Sequence, residues 1–417
     1  MLSKTFSFLV IFLFSTVAFS QKITGVIIDA NSNEALPFTA VSLINQLSGT
    51  ISNAEGQFEL TNNDSTLTDT LQVNFIGYEL FKVPVYEIKG NLTIQLKPTS
   101  VVFDEVLIEP REPTWYIKEA IKQRGSNYPS QPFQTIAYYN EVMKENDHYT
   151  KFTEAVIKSN HSVYVDTSKS IHQLLLFKAS DKIEDMQFMK AKMEKMDRKK
   201  RKQAEKKGEE YDEKSEAVTA SFGGPNSILL LDNIKSGENF LDSTKFKKYE
   251  YNFDGASTYK NIDIIIIGFK SKRTLDNLKQ HGKIYINTES NVIVGIDFNG
   301  QIVIPALAKP FMLAYGLSVH SPRLAAKVRF KQIDTTWYPE IFQIKLNGAM
   351  TKRYTFKENE YATFEIEQVL SMNKILPNYT AIIPKEKQFD ASEEMPKQVY
   401  NDEGFEWKDI NVMKVSY

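Results

Sequence analysis

Apolar and polar residues alternate over short stretches in most of the chain, and this alternation is typical of half-buried β-strands. In the first quarter of the chain, turn-forming residues separate these stretches. Residues 49–60 predict a hairpin, because Asn53 and Gly56 are turn formers and the sequence becomes apolar again at Phe58. The other predicted strands are 22–29, 39–44, 71–76, 83–86 and 92–96. We therefore predict a small β-sandwich over residues 21–98.

A different pattern begins after the predicted sandwich. Pro98, Pro110 and Pro113 favour a linker, which we place at residues 99–115. Apolar residues then recur at helical spacing over residues 115–124 and predict an amphipathic helix. Strand character returns at 133–142 and 149–156. The chain therefore enters its second part through a helix that is followed by strands.

The last part of the chain is a series of apolar strands at short intervals, roughly eight in number. Its clearest feature is a hairpin with strands 282–287 and 292–298, whose isoleucines and valines match across a polar turn. The other predicted strands are 249–253, 262–270, 324–333, 338–347, 350–357 and 361–369. We predict a mainly β protein with some α-structure: a small N-terminal β-sandwich, then a larger antiparallel β-sheet domain with a few helices over residues 116–417.

One segment of the larger domain is far more charged than the rest. Residues 189–216 contain many lysines and arginines close together, and a run of acidic residues follows them. The simpler interpretation is a solvated insertion between strands, either helical or disordered. The alternative is a basic arm that contacts an anionic surface such as lipid headgroups or lipopolysaccharide. The residues that would make this contact are Arg198, Lys199, Lys200, Arg201 and Lys202.

Residues 306–315 form an apolar segment that contains Pro310 and follows Pro305. They would form either a lip over a cavity or a core segment carried by a loop. We favour the core segment, because runs of large apolar residues are usually buried.

Residues 1–20 have the three-part pattern of a secretory signal. A short basic start precedes an almost wholly apolar stretch at 5–17, and small residues precede a cleavage site between Ser20 and Gln21. The apolar run is shorter than the roughly 20 residues that span a bilayer, so an uncleaved anchor is the weaker alternative. We expect an exported protein in the periplasm or associated with the outer membrane, with no transmembrane helix after cleavage.

Cysteine is absent from the sequence. Its absence excludes lipid attachment at an N-terminal cysteine, disulfides, cysteine zinc sites and a thiol nucleophile. We therefore expect a protein that is not a lipoprotein and that is held together by its apolar core. The formal net charge of −1 gives no global field that would attract nucleic acid.

Several motifs in the predicted sandwich combine turn glycines, a proline at a strand edge and an apolar aromatic residue. These motifs are Ile23-Thr24-Gly25-Val26-Ile27-Ile28-Asp29, Leu36-Pro37, Gly49-Thr50-Ile51-Ser52-Asn53, Gly56-Gln57-Phe58 and Phe75-Ile76-Gly77-Tyr78. They resemble the carboxypeptidase-regulatory-like domain, a family with a transthyretin-like fold that is common in envelope proteins of Bacteroidota. The resemblance implies an envelope setting and a transthyretin-like sandwich, and it implies no peptidase activity.

Motifs in the second part of the chain are similar to two further groups. Asn127-Tyr128-Pro129 and Tyr138-Tyr139-Asn140-Glu141 resemble a block that follows such sandwiches in many uncharacterised Bacteroidota proteins. The hairpin strand Gly282-Lys283-Ile284-Tyr285-Ile286-Asn287 is similar to one in LolA-like proteins, which curl an open antiparallel sheet round a helix and hold lipid acyl chains. That similarity implies a cavity for an apolar ligand. Alternatively, the same hairpin pattern would arise in any large antiparallel sheet with a buried face, whether or not it holds a ligand.

Residues for the common catalytic chemistries are missing or wrongly spaced. The five histidines lack a second histidine or a carboxylate at zinc-peptidase spacing. The sequence also contains neither a nucleophile elbow nor a phosphate-binding loop. The histidines are His148, His161, His172, His281 and His320. We therefore predict no catalytic, cofactor-binding or metal-binding residues.

Three functions remain open at this point. The first is a non-enzymatic exported envelope protein, an interaction or binding module that associates with an envelope protein or an outer-membrane component and not with nucleic acid. The second is a periplasmic carrier that binds a lipid or another apolar ligand in a curled antiparallel sheet. The third is an unrecognised hydrolase, which requires polar groups that converge in a pocket.

Overall fold

The computed structural model describes most of the chain beyond the predicted signal. The described residues are 21–45, 48–62, 68–99, 111–166, 168–180, 198, 201–202, 204–206, 223–314, 316–379 and 381–414. Residues 1–20 and most of the charged insertion lie outside them, so the predicted cleavage site has only Gln21 within the described residues.

The N-terminal domain contains two small sheets. Its strands are β1 (Gln21–Asp29), β2 (Ala40–Leu43), β3 (Ser48–Ile51), β4 (Gln57–Asn62), β5 (Thr70–Asn74), β6 (Phe81–Pro84) and β7 (Leu92–Leu96). One sheet has the order β4-β1-β7 and the other the order β3-β2-β5-β6. Alternate residues of β1 and β5, among them Ile23, Ile27, Leu71 and Val73, meet in one buried cluster, because alternate side chains of a strand face the same side. The predicted small β-sandwich is confirmed.

The predicted hairpin at residues 49–60 is wrong, because its two strands belong to different sheets. β3 pairs with β2, whereas β4 pairs with β1. The turn chemistry itself is as expected: the Asn53 side chain accepts the backbone N–H of Gln57 at 2.7 Å, and Gly56 has a φ of 74°. A Cβ atom at Gly56 would lie 2.4 Å from the carbonyl oxygen of Ile27. Turn residues therefore located the reversal but not the partner of either strand.

The second domain contains a ten-stranded antiparallel sheet. Its strands are β8 (Phe133–Glu145), β9 (His148–His161), β10 (Ile171–Ala179), β11 (Tyr249–Tyr259), β12 (Ile262–Ser271), β13 (Leu278–Asn287), β14 (Val292–Ile302), β15 (Leu317–Ile333), β16 (Thr336–Lys352) and β17 (Glu360–Leu376). The strand order is β10-β9-β8-β17-β16-β15-β14-β13-β12-β11. The predicted antiparallel domain is therefore confirmed, and so is the fold class as a whole.

Three details of this domain differ from the prediction. β10 was not predicted, and the predicted strands 338–347 and 350–357 form the single strand β16. Helix α1 (Pro113–Lys122) begins inside the predicted linker 99–115, because proline is well suited to the first turn of a helix. Short α-helices follow at Arg124–Asn127, Pro225–Ile228, Asn233–Ser236 and Ala308–Ala314.

Each face of the large sheet is covered by a different part of the chain. On one face, which we call the helix face, Tyr139 of β8 lies in a large cluster with Ile117 of α1 and with Ile234 and Phe240. The next residue towards the N-terminus, Tyr138, lies on the opposite face in a cluster that contains Ile51 and Ile410. We call this second face the sandwich face.

A tail at residues 401–414 joins the sandwich to the sheet. The hydroxyl of Thr50 in β3 donates to the carbonyl oxygen of Val412 at 3.2 Å. Asn411 bridges the two domains, because its side-chain oxygen accepts the N–H of Thr61 and its own N–H donates to the side chain of Asn373, each at 2.7 Å. The tail therefore fixes the sandwich on the sandwich face.

Replacing Asn411 with alanine is expected to lower the free energy of unfolding by about 2 kcal/mol, because it leaves the buried N–H of Thr61 without this acceptor. Asn359 provides a matched control, since its side-chain oxygen also accepts a backbone N–H, that of Tyr354, but at an exposed position. Asn359→Ala should cost less than about 1 kcal/mol. Urea denaturation measures both values. Equal losses in the two variants would mean that the tail does not couple the domains.

Candidate functional site

Paired charges on the sandwich face hold neighbouring strands together. The guanidinium of Arg329 lies 2.6 Å from Asp297 Oδ1, and the hydroxyl of Tyr285 donates to Asp297 Oδ2 at 2.8 Å. Burial acts to raise the pKa of Asp297, but the charge of Arg329 and the hydrogen bonds from Arg329 and Tyr285 together hold that pKa below its ordinary value. Burial and the charge of Asp297 raise the pKa of Tyr285. Opposite charges are paired within this cluster, so we interpret it as structural.

A second pairing lies where the sandwich meets the sheet. Lys260 Nζ is 3.1 Å from Glu340 Oε2, and the Tyr259 hydroxyl donates to the same oxygen at 3.2 Å. Burial acts to raise the pKa of Glu340, but Lys260 and Lys331 together keep it below its ordinary value. The backbone N–H of Lys260 also donates to the side chain of Asn74 in the sandwich at 3.0 Å. This pairing therefore belongs to the domain junction.

The helix face contains a more deeply buried ion pair. Lys151 Nζ lies 2.7 Å from Glu141 Oε1. The other carboxylate oxygen of Glu141 accepts hydrogen bonds from the hydroxyl of Tyr139 at 2.8 Å and from Gln368 Nε2 at 2.9 Å. Burying a charge is costly unless it is paired and hydrogen-bonded, and this carboxylate meets both conditions.

Large apolar side chains are exposed at one end of the large sheet. The β14–β15 and β16–β17 connections lie side by side there, because the N–H of Arg353 donates to the carbonyl oxygen of Gly316 at 2.7 Å. Leu307 in the first connection is 93% exposed, and Phe356 in the second is 99% exposed. Val303, Leu313 and Tyr361 are also exposed. We call this set of five residues, Val303, Leu307, Leu313, Phe356 and Tyr361, the apolar tip.

Basic side chains accompany the apolar tip. Within residues 303–316 and 352–361 the sequence has four cationic residues and two carboxylates, so the net charge of these segments is +2. One of the carboxylates, Glu360, is already engaged by Lys357 Nζ at 2.7 Å and by the hydroxyl of Tyr354 at 2.7 Å. The cationic residues are Lys309, Lys352, Arg353 and Lys357. The tip thus combines apolar side chains with an excess of positive charge.

The prediction that residues 306–315 form a core segment is wrong. Residues Ala308–Ala314 are helical, and Leu307 and Leu313 point their apolar atoms to solvent. Behind this helix lies a mainly apolar cavity of about 390 Å³. Met312 and Leu317 are among its lining residues. The alternative of a lip beside a cavity describes the segment better, because the connection leaves the sheet after Ile302 and does not return to it until Leu317.

The predicted basic contact is only partly described. Arg198, Arg201 and Lys202 are helical and exposed, whereas Lys199 and Lys200 lie outside the described residues. Nothing in the described part of the chain brings these residues into the apolar tip. The basic arm therefore stays a prediction.

The structure brings two of the histidines close together and leaves the other three apart from them. His161 Nδ1 lies 2.9 Å from the hydroxyl of Ser170, and His172 Nδ1 lies 2.7 Å from that of Ser159. Burial lowers the pKa of both rings, that of His172 to about 4. Among the described residues, no three histidine, aspartate or glutamate side chains cluster in a way that could hold a metal ion.

Polar residues beside these histidines were missed by sequence reasoning. Ser170, Asp232 and Lys235 line a cavity together with His172. Asp232 and Lys235 are separated from the histidines by more than fifty residues and by the charged insertion, so spacing gave no signal that could have found them.

None of the helices in the described ranges is both long enough and apolar enough to cross a membrane.

The chain was compared with known proteins. No curated protein matches it. A DUF1329 family protein from Desulfovibrio piger is 9% identical, with 66% of this chain and 96% of that chain covered and a TM-score of 0.24. Lipovitellin, in a structure of its lipid–protein interactions, is 8% identical, with 61% of this chain and 26% of that chain covered and a TM-score of 0.26. A protein of unknown function from Bacteroides fragilis that is described as membrane-associated is 10% identical, with 86% of this chain and 98% of that chain covered and a TM-score of 0.16.

Structural similarity at these scores carries no argument about this chain. The family comparison is more specific, and it covers the N-terminal domain together with the segment after it. The matched family is a regulatory-like module, which is not itself catalytic. The resemblance predicted from the sandwich motifs is confirmed: residues 23–108 match the CarboxypepD_reg-like domain family.

Proposed function

We propose that this protein is a non-enzymatic, exported envelope protein that binds a lipid surface through its apolar tip. The observation that carries the proposal is the exposure of Leu307 and Phe356, each above 90%, at the same end of the sheet as an excess of basic side chains. Large apolar side chains that are rimmed by cations are typical of surfaces that insert into an anionic membrane interface.

The energetics favour such a contact. Transfer of one large apolar side chain from water to an apolar environment contributes about 1.5–3 kcal/mol. A lysine or arginine close to an anionic membrane surface adds about 1 kcal/mol. Leu307 and Phe356 together with a net charge of +2 therefore suffice for a reversible attachment. The basic residues Arg198, Arg201 and Lys202 would strengthen it electrostatically if they face the same surface.

The sandwich fits this proposal as an interaction or spacer module. It is fixed to the sandwich face by the tail and by the hydrogen bond between Lys260 and Asn74. A protein attached by its tip would thus hold the sandwich at a fixed orientation to the membrane. We propose an envelope protein or an outer-membrane component as the partner of the sandwich, in line with the predicted signal and with the matched family.

The packing of the helix face argues against the lipid-carrier alternative. In LolA-like carriers the acyl chains occupy the space inside the sheet. Here the side chains of Tyr116, Ile117 and Phe240 are buried against the sheet within one continuous apolar cluster. Over the described residues, this part of the face is therefore filled by the protein itself.

The hydrolase alternative has a serine–histidine pair among the described residues, but this pair has no carboxylate behind the histidine. Ser170 and His161 form a hydrogen-bonded pair, as a nucleophile and its base would. The second ring nitrogen of His161, however, bonds to the hydroxyl of Thr135 at 2.9 Å and not to a carboxylate. A serine–histidine pair needs a third group that stabilises the imidazolium, and a neutral hydroxyl does this poorly.

Vesicle flotation tests the proposed contact. The purified protein should float with vesicles that contain phosphatidylglycerol, and much less with vesicles of phosphatidylcholine alone or at high salt. The double variant Leu307→Ser with Phe356→Ser should reduce the bound fraction at least roughly tenfold, because it removes two inserted side chains.

A matched control uses exposed apolar residues elsewhere on the molecule. Ile382 is 80% exposed and Tyr86 is 65% exposed, and neither lies at the tip. Ile382→Ser with Tyr86→Ser should float like the unmodified protein. The proposal fails if the unmodified protein does not float with anionic vesicles, or if both double variants lose binding equally.

A further inference from the structure

A cavity of about 760 Å³ whose lining includes several polar and charged side chains opens at the opposite end of the sheet from the apolar tip. It lies where β9 is connected to β10 and where the short helix Asn233–Ser236 begins. The apolar tip, by contrast, lies at the end where β14 is connected to β15 and β16 to β17. Cavities of this size hold small molecules such as a mono- or disaccharide.

The wall of the cavity contains a lysine whose ammonium group forms no close ion pair with a described carboxylate. Lys235 is half-buried, and among the described residues no aspartate or glutamate oxygen lies within 4 Å of its Nζ. Its one hydrogen bond from Nζ is a long contact of 3.5 Å to the carbonyl oxygen of Ser162. A partly buried charge is normally paired at close range. The charges of Asp232 and Asp166 act on this ammonium group, but neither carboxylate forms a close ion pair with it.

The carboxylate of Asp232, which also lines the cavity, is occupied by other groups. Asp232 Oδ2 accepts the hydroxyl of Tyr164 at 2.7 Å, and Asp232 Oδ1 accepts the backbone N–H of Lys235 at 3.0 Å. The carboxylate therefore serves as the cap of the short helix, and its bonds hold the backbone of Lys235 in place. The ammonium group is left for a ligand.

Further hydrogen-bond donors line the same cavity. His172 bonds through Nδ1 to the hydroxyl of Ser159 at 2.7 Å. When that hydroxyl donates, Nε2 of the neutral ring carries the hydrogen and can donate to a ligand oxygen. Burial keeps the ring neutral, because it lowers the pKa of His172 to about 4. The amides of Asn226 and Asn239 also line the cavity.

We propose that this cavity binds a small hydroxylated ligand through an oxyanion, a carboxylate or a phosphate, which pairs with Lys235 and accepts a hydrogen bond from His172. The side-chain amides and the hydroxyl of Ser170 bind the hydroxyl groups of the same ligand. The site is independent of the membrane contact, because it lies at the other end of the sheet.

Calorimetric titration of the purified protein tests the proposal with defined probes. The probes are sodium glucuronate, glucose and inorganic phosphate. Glucuronate or phosphate should bind, and glucose, which matches glucuronate but lacks the carboxylate, should bind at least roughly tenfold more weakly. Binding of phosphate without binding of glucuronate assigns the oxyanion to a phosphate ligand, and the reverse result assigns it to a carboxylate.

Variants locate the binding. Lys235→Gln should weaken oxyanion binding roughly tenfold to a hundredfold, because a charge-assisted contact is lost. Lys245→Gln is the matched control, since Lys245 is a surface lysine nearby in the chain that pairs with Asp242 at 3.5 Å. It should bind like the unmodified protein.

A spectroscopic measurement keeps the proposal testable if Lys235→Gln does not fold. Nuclear magnetic resonance of the histidine rings in the unmodified protein should show the signals of His172 shifting with added oxyanion, while those of His281 stay unchanged. The proposal is overturned if neither oxyanion binds, if glucose binds as tightly as glucuronate, if folded Lys235→Gln binds unchanged, or if His172 does not respond.

Discussion

Replacing Lys151 with methionine is expected to lower the free energy of unfolding by about 3–5 kcal/mol. The side chains of Lys151 and Glu141 are 8% and 0% exposed, and their charged atoms lie 2.7 Å apart. Methionine retains most of the apolar stem of lysine, so the variant mainly removes the charge. The carboxylate of Glu141 is then left buried without its counter-ion, and its remaining hydrogen bonds from Tyr139 and Gln368 do not neutralise it.

Lys144 provides the matched control for this variant. It lies on the neighbouring strand β8 and pairs with Glu365 at 3.8 Å, but these two side chains are 29% and 28% exposed. Solvent-accessible ion pairs contribute about 0–1 kcal/mol, because water screens the charges. Lys144→Met should therefore cost no more than about 1 kcal/mol. The comparison separates the loss of a buried partner from the loss of any lysine.

A double variant tests the cause of the effect. Glu141→Gln in the background of Lys151→Met removes the uncompensated charge, and it should restore most of the lost stability. Urea denaturation of Lys151→Met, Glu141→Gln, the double variant and the unmodified protein gives the four values of a double-mutant cycle. If Glu141→Gln does not rescue Lys151→Met, the loss arises from packing and not from charge.

The periodicity of the sequence was sufficient to predict the fold class, because strand patterning is local. The alternation in residues 292–298 identified β14, and the turn that follows β13 was visible in the same stretch. Which strands pair is not local information. Residues 49–60 contain two strands and a good turn, yet burial of Phe58 in the sandwich core places β4 beside β1 instead of β3.

The tail illustrates the same limit. Asn411 and Met413 lie in the tail, and their roles depend on partners more than three hundred residues away in β3 and β4. A pattern within the tail cannot reveal such partners. The structure alone joins these distant segments at the junction of the two domains.

The candidate sites were less predictable than the fold. Residues 306–315 read as core because apolar composition does not distinguish a buried segment from an exposed one. Exposure of Leu307 follows from the position of the connection beyond the end of the sheet. Likewise, no motif in the sequence around Lys235 distinguishes it from a surface lysine. Only the fold places it in a cavity beside His172.

His172 should make the stability of the protein depend on pH. Its folded-state pKa is about 4, because the ring is buried, whereas an unfolded histidine has a pKa of about 6.5. Above the unfolded value, both states carry a neutral ring and the contribution of His172 to folding is fully present. As the pH falls below about 6.5, the unfolded chain takes up the proton first, so the free energy of unfolding decreases until the pH reaches about 4.

The size of the loss follows from the difference in pKa, and it amounts to about 3 kcal/mol over the whole range. The variant His172→Gln retains a side chain that can bond to Ser159 but cannot titrate. Between pH 7.5 and pH 4.5, the stability of the unmodified protein relative to this variant should fall by about 2–3 kcal/mol. Urea denaturation at four pH values gives the difference, in which the titration of all other groups largely cancels.

His148→Gln, at an exposed position, controls for loss of an imidazole, and its difference from the unmodified protein should stay within about 0.5 kcal/mol. A pH-independent difference for His172→Gln would show that the ring is protonated as readily in the folded protein as in the unfolded chain, and the buried ring could not then act as a neutral donor in the cavity.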